Sequence, residues 1–417
     1  MIHVPSKRAV ALIAAVSVVA LLGAIAARAA SGMSARSSST TITVWTMEDS
    51  TKFTQLLQGF TKQTGIKVHV DAIPWANVND KLTTAVASGH GPDVVQIGLS
   101  ELSSFIAAKA LLNLKPYLAA HPALADKNYP KGIASTKINP KGRMLSVPWV
   151  SDVRVLFYRK DILAQAGIKG PPATWAQLFA DAKKLAARGG NNYGYYIPQW
   201  DSALPVEWTW DAGGTGLDKH GKVTFDTPAF RKAANFYWGF YRAKLVPAAS
   251  DFDQTQGFIS GAAPMLISGP YLQGLVDGAA PQLKGKYGVA PLPSNRTHTS
   301  LFAGSNMGVW YNTKHAKESL RLLDYLAQPA TQLQWFKSAA ELPTNLAALN
   351  SKSLTSDPFV KVYTKQLQNA WLLPPLVPAW NKIAGNLLDT LNSVALNGAN
   401  ASDALNKLNQ EVAAAQQ

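Results

Sequence analysis

The chain has 417 residues, of which 47% are hydrophobic and only 16% charged, a balance that allows a large core and excludes a disordered chain. It contains no cysteine, which excludes disulfide scaffolds, thiolate metal sites, cysteine nucleophiles and lipid anchors attached through cysteine. Lys and Arg number 40 against 25 Asp and Glu, for a net charge of +15, but the bases are scattered, which indicates a solvated basic surface and no nucleic-acid partner.

Residues 1–29 have the order of an export segment. Lys7 and Arg8 precede an apolar run over 9–27, and Ala27-Arg28-Ala29 has the small-x-small pattern of a cleavage site. Because the run is also long enough to span a bilayer, a cleaved signal peptide and an uncleaved N-terminal anchor both stay open. In either case we expect the rest of the chain outside the cytoplasmic membrane, secreted, periplasmic or held at its outer face. Residues 30–40, rich in Ser and Thr, are predicted to be a flexible spacer.

Strands and helices are predicted to alternate along the mature chain. Runs of β-branched and aromatic residues predict strands at 41–45, 66–70, 94–97, 153–158, 193–197, 264–268 and 287–290. Apolar residues at helical spacing predict helices at 52–63, 82–88, 175–188, 230–244 and 318–326, and the chain from Ile383 onward is predicted to be mainly helical. This order predicts parallel strands covered by helices and an α/β protein of two lobes.

The motifs of several enzyme classes are missing from the sequence. It has no phosphate-binding loop, no G-x-S-x-G nucleophile elbow and no H-E-x-x-H, and the cluster at Gly213–Gly216 lacks the later glycine of a dinucleotide fingerprint. We therefore expect no cofactor and no metal. Asp201, Glu207 and Asp211 lie close together among aromatic residues. They fit either a glycosidase carboxylate pair or a set of hydrogen-bond acceptors for sugar hydroxyls.

Acidic residues stand beside aromatic residues in three segments, at Trp45–Asp49, Pro148–Asp152 and Gln199–Gly214. Ligands of open α/β sheets bind at the ends of the strands. A carboxylate accepts two hydroxyl hydrogens, and an aromatic ring covers the apolar face of a sugar. The segments therefore favour a polyhydroxylated ligand. Besides Trp45, four tryptophans lie in them, and we expect two to face the ligand and two to pack: Trp149, Trp200, Trp208 and Trp210.

A set of ordered motifs over residues 40–417 resembles the sugar-binding family of extracytoplasmic solute-binding proteins of ABC transporters, which includes maltose-binding protein. The most specific motif is Val147-Pro-Trp-Val-Ser-Asp-Val-Arg-Val-Leu-Phe-Tyr-Arg-Lys-Asp161. Further motifs are Ile42-Thr-Val-Trp45, Thr64-Gly-Ile-Lys-Val68, Gly91-Pro-Asp-Val-Val95, Pro171-Pro-Ala-Thr-Trp175, Pro264-Met-Leu-Ile-Ser-Gly-Pro270, Tyr287-Gly-Val-Ala-Pro-Leu-Pro293, Phe302-Ala-Gly-Ser305 and Leu342-Pro-Thr344. Each motif alone is weak evidence. The resemblance is specific because all of them occur in the order that the family has.

The resemblance implies a type II periplasmic-binding-protein-like α/β fold with two hinged lobes. The first lobe would comprise residues 41–150 and 304–342, and the second 151–303 and 343–417. The chain would cross between them near Val147–Asp152, Phe302–Ser305 and Glu341–Asn345, three times in all.

The resemblance also implies ligand contacts at particular positions. Glu48 and Asp49 follow the first strand, Ser100 and Glu101 follow the third, and Asp152 lies on a crossing segment. Asp201 matches a family acid, and Tyr271 and Trp380 stand where the family has stacking aromatics. The chain departs from maltose-binding protein at Ile97, where that protein has an aromatic, and at Ser100 and Glu101, where it has an acid–base pair. To these we add two aromatics of the acid-rich segments and two residues with backbone donors: Trp149, Trp210, Gly304 and Ser305.

The predicted function is therefore capture rather than catalysis. The chain is expected to be a monomeric, non-enzymatic receptor that binds a carbohydrate between its lobes and delivers it to an ABC-transporter permease. Two alternatives remain. The same fold could bind a polyamine or peptide, or the chain could be a secreted glycoside hydrolase that uses Asp201 with Glu207 or Asp211.

Overall fold

In the described part of the chain the strands form two sheets. The computed structural model describes residues 40–47, 50–74, 77–129, 142–373, 377 and 379–417. Its strands are β1 (Thr41–Thr46), β2 (Lys67–Ala72), β3 (Val94–Gly98), β4 (Val147–Val153), β5 (Val155–Arg159), β6 (Met265–Ser268), β7 (Tyr287–Ala290), β8 (Ser300–Val309), β9 (Leu342–Pro343) and β10 (Ala370–Trp371). The larger sheet has the order β2-β1-β3-β8-β4-β9, with β10 paired to β8, and the smaller sheet has the order β6-β5-β7.

The larger sheet is mixed. β1 runs parallel to β3, with Val44 opposite Val94, whereas β8 runs antiparallel to both β3 and β4. Every residue of β3 is buried, as expected of a central strand covered on both faces. Val94 and Val95 accordingly belong to different apolar clusters, because successive side chains of a strand point to opposite faces. The same alternation in the smaller sheet places Leu156 and Phe157 in two further clusters.

Helices cover both sheets. They are α1 (Ser50–Thr64), α2 (Val78–Ser88), α3 (Leu102–Ala107), α4 (Lys160–Gln165), α5 (Trp175–Ala186), α6 (Ala203–Asp211), α7 (Pro228–Arg242), α8 (Gln254–Ser260), α9 (Tyr271–Ala279), α10 (Ala316–Leu326), α11 (Pro329–Ala339), α12 (Leu346–Leu349), α13 (Lys352–Thr355), α14 (Pro358–Leu367), α15 (Trp380–Asn397) and α16 (Ala401–Ala415). Side-chain oxygens of Thr174, Thr227 and Asp357 accept hydrogen bonds from the first turns of α5, α7 and α14, and so fix where these helices begin.

Two sequence predictions of secondary structure are wrong. Residues 193–197 form no strand: only Tyr196 makes an isolated bridge, to Leu266, although Tyr195 and Ile197 are fully buried. Their apolar character reflects core packing, which periodicity cannot separate from a short strand. The segment predicted at 153–158 is two strands, β4 and β5, which lie in different sheets. The other predicted strands and helices are confirmed, with ends shifted by a few residues.

The chain passes from the larger to the smaller sheet through a single residue, Arg154, which lies between β4 and β5. The N–H of Arg154 donates to Ser300 Oγ (2.9 Å), and Ser300 Oγ donates to the carbonyl oxygen of Arg154 (2.8 Å). Since Ser300 is the first residue of β8, the start of β8 is fixed to this crossover.

No helix within the described residues is both long enough and apolar enough to span a membrane. The predicted signal peptide or anchor at 1–29 and most of the spacer at 30–40 lie outside the described residues.

Candidate functional site

A cavity of about 930 Å³ lies among residues from both sheets. On the side of the larger sheet it is lined by the end of β3 and by β4 and β8, and on the side of the smaller sheet by the segment before α6 and by the start of α9. Residues 372 and 373, the start of α15 and residues of α1, α8 and α11 also line the cavity. The lining combines carboxylates, amides, hydroxyls and aromatic rings, so the cavity is the candidate ligand site.

A buried glutamine fixes the part of the cavity built by the larger sheet. Gln96 Oε1 accepts hydrogen bonds from Thr46 Oγ1 (2.7 Å) and the N–H of Met47 (2.9 Å), and Gln96 Nε2 donates to Ser305 Oγ (2.8 Å). Met47 and Ser305 both line the cavity. Beside them, Gly304 has φ of +124°, and a Cβ there would overlap with the carbonyl oxygen of Val150. Only glycine fits this position without strain.

A polar contact between described residues crosses the cavity. Asn381 lies in the first turn of α15, and its Nδ2 donates to Glu101 Oε2 (2.9 Å) and to Ser104 Oγ (3.1 Å). Glu101 directly precedes α3, which packs with the larger sheet, whereas α15 packs with the helices of the smaller sheet. This contact therefore joins the two halves of the cavity, and both Glu101 and Asn381 line it.

A cluster of charges lies at the crossover between the sheets. Arg154 Nη2 lies 3.8 Å from Asp201 Oδ2, and both side chains are only 13% exposed. The guanidinium also lies over the Tyr271 ring, 6.0 Å from its centroid. Burial opposes the charge of Arg154, but Asp201, Tyr271 and Asp152 outweigh it and raise its pKa above the usual range. Arg154 therefore neutralises the acids around it.

Local contacts hold the acids of this cluster in place. Asp201 Oδ1 accepts a hydrogen bond from the N–H of Ala203 at the start of α6 (2.8 Å). Asp152 lies against Gly269, where a Cβ would overlap with its carboxylate. Tyr271 Oη accepts from Ser268 Oγ (3.0 Å) and from Gln254 Nε2 (3.4 Å).

Aromatic side chains contribute to the lining in different ways. Trp200 is 60% exposed and presents its ring to the cavity region. Trp335 and Trp380 also line the cavity but are almost completely buried, and Trp335 Nε1 donates to Glu341 Oε2 (2.7 Å). Trp200 is therefore the aromatic with the largest free surface for stacking on a ligand.

The structure brings together most of the residues expected at the site. Eight of them line one cavity: Ser100, Glu101, Asp152, Asp201, Tyr271, Gly304, Ser305 and Trp380. Glu48 and Asp49 lie outside the described residues.

Two expected ligand contacts are absent from the cavity lining. Trp149 is buried and packs on Phe53 and Trp335, with ring centroids 5.8 Å away in both cases. Trp210 is buried as well, and its Nε1 donates to the carbonyl oxygen of Thr215 (3.1 Å). Since Trp208 is also buried, three of the four tryptophans pack in the core, rather than the two expected.

Glu207 and Asp211 do not line the cavity. Glu207 Oε1 accepts from the N–H of Leu301 (2.6 Å), and Asp211 Oδ1 accepts from the N–H of Thr299 (2.6 Å). The pKa of both carboxyl groups is raised to about 8. Burial raises it by more than the backbone donors lower it. Both acids thus fix the start of β8 from α6, and neither can form a carboxylate pair with Asp201 across a ligand in this cavity.

Several lining residues were not among the expected contacts. Among them are Arg154, Trp200, Gln254, Trp335, Glu341 and Asn381. Arg154 could have been found, because it stands two residues after Asp152 and the side chains of i and i+2 in an extended segment share a face. Trp200 directly precedes Asp201. The others carry no local signal, since only the folded chain brings them to the cavity. Among the described residues, no three His, Asp or Glu side chains are grouped so as to hold a metal ion.

Comparisons with known proteins agree on one class. A family model described as bacterial extracellular solute-binding protein matches residues 45–333. A binding protein of Brucella abortus is 27% identical over 344 residues, which are 80% of this chain and 81% of the relative. The maltodextrin-binding protein of Bacillus subtilis is 23% identical and covers 78% of both chains.

A solved structure is similar over nearly the whole chain. The sugar-binding protein MalE of Xanthomonas citri matches with a TM-score of 0.77 at 27% identity, covering 90% of this chain and 97% of its own. This likeness confirms the predicted two-lobe α/β fold of the type II periplasmic-binding-protein kind.

Proposed function

The chain belongs to the family of bacterial extracellular solute-binding proteins, and from this premise we propose that it is the receptor of an ABC importer for a neutral di- or oligosaccharide. The ligand binds in the cavity between the two lobes and is released intact to a membrane permease. The sugar-binding names of similar proteins support this ligand class.

The lining of the cavity is the observation that carries the proposal. Trp200 offers an exposed aromatic face, and Asp152, Asp201 and Glu101 offer carboxylate oxygens in the same cavity. A sugar presents C–H groups on its faces and hydroxyl groups around its edge, so it needs this mixture. A cavity of about 930 Å³ lies near the upper end of ordinary small-molecule sites, which favours more than one sugar ring.

The positions of the acids support capture rather than hydrolysis. A glycosidase needs two carboxyl groups on either side of the scissile bond. Here Asp201 faces Arg154. Glu207 and Asp211 do not line the cavity, and they accept hydrogen bonds from the backbone N–H groups of Leu301 and Thr299. We therefore assign the cavity acids as hydrogen-bond acceptors for sugar hydroxyls and propose that the protein is not an enzyme.

We assign the lobes to residues 41–150 with 304–342 and to residues 151–303 with 343–417, hinged at the crossing segments. The strands β1, β2 and β3 of the larger sheet then lie in the first lobe and the whole smaller sheet lies in the second, which supports the assignment, while β4, β8 and β9 run across the proposed boundary. Ligand binding favours closure of the hinge, because the ligand contacts both lobes at once only in the closed form. The family is extracellular, and we propose that residues 1–29 export the chain or hold it at the outer face of the membrane, where it meets the permease as a monomer.

The test is a calorimetric screen against mono-, di- and oligosaccharides. We expect a neutral saccharide to bind, and Asp152→Ala or Trp200→Ala to weaken binding at least about ten-fold because each removes a direct contact. Tyr311→Ala is the control, since Tyr311 is a 44% exposed aromatic that does not line the cavity. No binding of any saccharide, or equal affinity in all variants, would contradict the proposal.

A further inference from the structure

We propose that Arg154 is the specificity-determining residue of the cavity, which admits neutral ligands, excludes cationic ones and donates its Nε–H to a ligand oxygen. This inference rests on the proposed function, because it states which solutes the same cavity accepts.

The backbone of Arg154 is held in place. It is the single residue between β4 and β5, and its N–H and carbonyl oxygen are both bonded to Ser300 Oγ. Ser300 Oγ in turn lies 3.2 Å from Glu207 Oε1, so α6 supports the same point. The backbone of Arg154 is therefore fixed at the crossover, and its side chain extends from there to the cavity.

The guanidinium already occupies the place that a cationic ligand would need. Its Nη2 lies 3.8 Å from Asp201 Oδ2, and Asp152 and Tyr271 also face it. The remaining acids of the lining have partners as well, since Glu101 is bonded to Asn381 and Glu341 to Trp335. An ammonium group placed beside Asp201 would meet the fixed positive charge of Arg154 in a poorly screened site.

The Nε–H of Arg154 is available to the ligand. Its Nε is buried and has no hydrogen-bond partner among the described residues. A buried N–H without an acceptor is unfavourable, so a ligand that supplies an oxygen there gains affinity. A sugar hydroxyl or ring oxygen can accept this hydrogen bond, whereas an ammonium group has no acceptor to offer.

Two variants separate the charge from the donor. Arg154→Gln removes the charge, and Arg154→Lys keeps it but loses Nε. Arg231→Gln is the matched control, because Arg231 pairs with Asp226 on the surface and does not line the cavity. Each protein is titrated by calorimetry with glucose oligomers of α-1,4 and β-1,4 linkage, with the free-amine glucosamine dimer and with spermidine. The glucosamine dimer differs from cellobiose by an ammonium group in place of one hydroxyl on each ring.

We expect the wild type and Arg231→Gln to bind a neutral oligomer and neither cation. Arg154→Gln should bind that oligomer at least about ten-fold more weakly and acquire binding of the glucosamine dimer or spermidine, because the acids lose their counter-charge. Arg154→Lys should lose affinity for the neutral oligomer and still exclude the cations. Circular dichroism and thermal unfolding of each variant show that the fold is retained.

The inference is overturned if the wild type binds a cation, if Arg154→Gln binds none, or if it binds the neutral oligomer as tightly as the wild type. Should Arg154→Gln fail to fold, binding of a cation by Arg154→Lys would overturn it. Failure of the wild type to bind any neutral saccharide instead contradicts the proposed function. The two failures are therefore distinguished within one experiment.

Discussion

Asp201 and Glu207 are two acids of one short segment, and burial gives their carboxyl groups different roles. Asp201 lines the cavity and faces Arg154. Glu207 is 1% exposed and accepts a hydrogen bond from the N–H of Leu301, the second residue of β8. With its pKa raised to about 8 by burial, Glu207 is largely protonated at neutral pH and adds little to the charge of the site.

The pKa of Glu207 predicts a dependence of stability on pH. Its value rises from 4.5 to about 8 in the folded protein. Between these values the unfolded chain has lost the proton and the folded chain keeps it, so the free energy of unfolding decreases as pH rises across that window. Glu207→Gln retains an oxygen acceptor for Leu301 and carries no charge, so its urea-unfolding free energy should decrease less between pH 5 and pH 8. Burial also raises the pKa of Asp211 to about 8, so Asp211 still contributes its own pH dependence in this variant.

The control for this measurement is Glu411→Gln, which removes an acid that pairs with Lys407 on the surface of α16. It should show the pH dependence of the wild type. If the free energy of unfolding of Glu207→Gln depended on pH as that of the wild type does, the Glu207 carboxyl group would not retain a proton in the folded protein.

The sequence predicts the acids of the cavity better than its tryptophans. The sequence predicts Asp152 and Asp201 at the site because acids stand beside aromatic residues in both segments and because the family resemblance implies ligand contacts at both positions. Trp149 and Trp200 stand in similar local sequences, beside other aromatics and an acid, yet one is buried and the other is 60% exposed. A shift in register between Pro148 and Val150 interrupts the alternation of β4, so inward and outward positions cannot be counted along that strand.

At the level of elements, helices were predicted where their two faces differ in polarity. In α1 the buried residues Phe53, Leu56, Leu57 and Phe60 recur at helical spacing, and the sequence shows this directly. In α6 every residue is buried, so no polar face exists and the sequence predicts no helix there. A helix that is buried on all sides cannot be recognised from periodicity.

Gln96 joins three elements, and its replacement tests how they shape the cavity. Gln96→Leu has a similar volume but leaves Thr46, Met47 and Ser305 without their contacts to its amide. We expect a loss of stability of about 2–3 kcal/mol. We also expect weaker ligand binding, because Met47 and Ser305 line the cavity. Urea unfolding and calorimetry with the saccharide found in the screen measure the two effects.

The matched control is Gln366→Leu. Gln366 in α14 is equally buried and bonds the N–H of Leu292 and the carbonyl oxygen of His298, but it does not line the cavity. Its replacement should cost similar stability and leave affinity unchanged. Equal losses of affinity in both variants would show that the effect of Gln96 is a general one on stability.

On the scale of the whole molecule, the cavity joins residues that are far apart in sequence. Glu101 and Asn381 are separated by 280 positions, and Arg154 and Ser300 by 146. The family resemblance predicted two lobes and their crossing segments, but no spacing in the sequence indicates that Asn381 meets Glu101. Contacts of this kind depend on how the two lobes approach each other, which is a property of the folded chain alone.

The contact between Asn381 and Glu101 predicts an effect on lobe closure. Asn381→Ala removes the hydrogen bonds to Glu101 and Ser104, worth about 1 kcal/mol, so the closed form becomes less populated and apparent affinity falls about five-fold. Small-angle X-ray scattering should show a larger radius of gyration without ligand and a return to the wild-type value at saturation. Asn392→Ala is the control, because Asn392 lies on the same helix α15 but bonds Gln199 and Tyr237, on the side of the smaller sheet. Scattering and affinity identical to the wild type in Asn381→Ala would show that this contact does not favour closure.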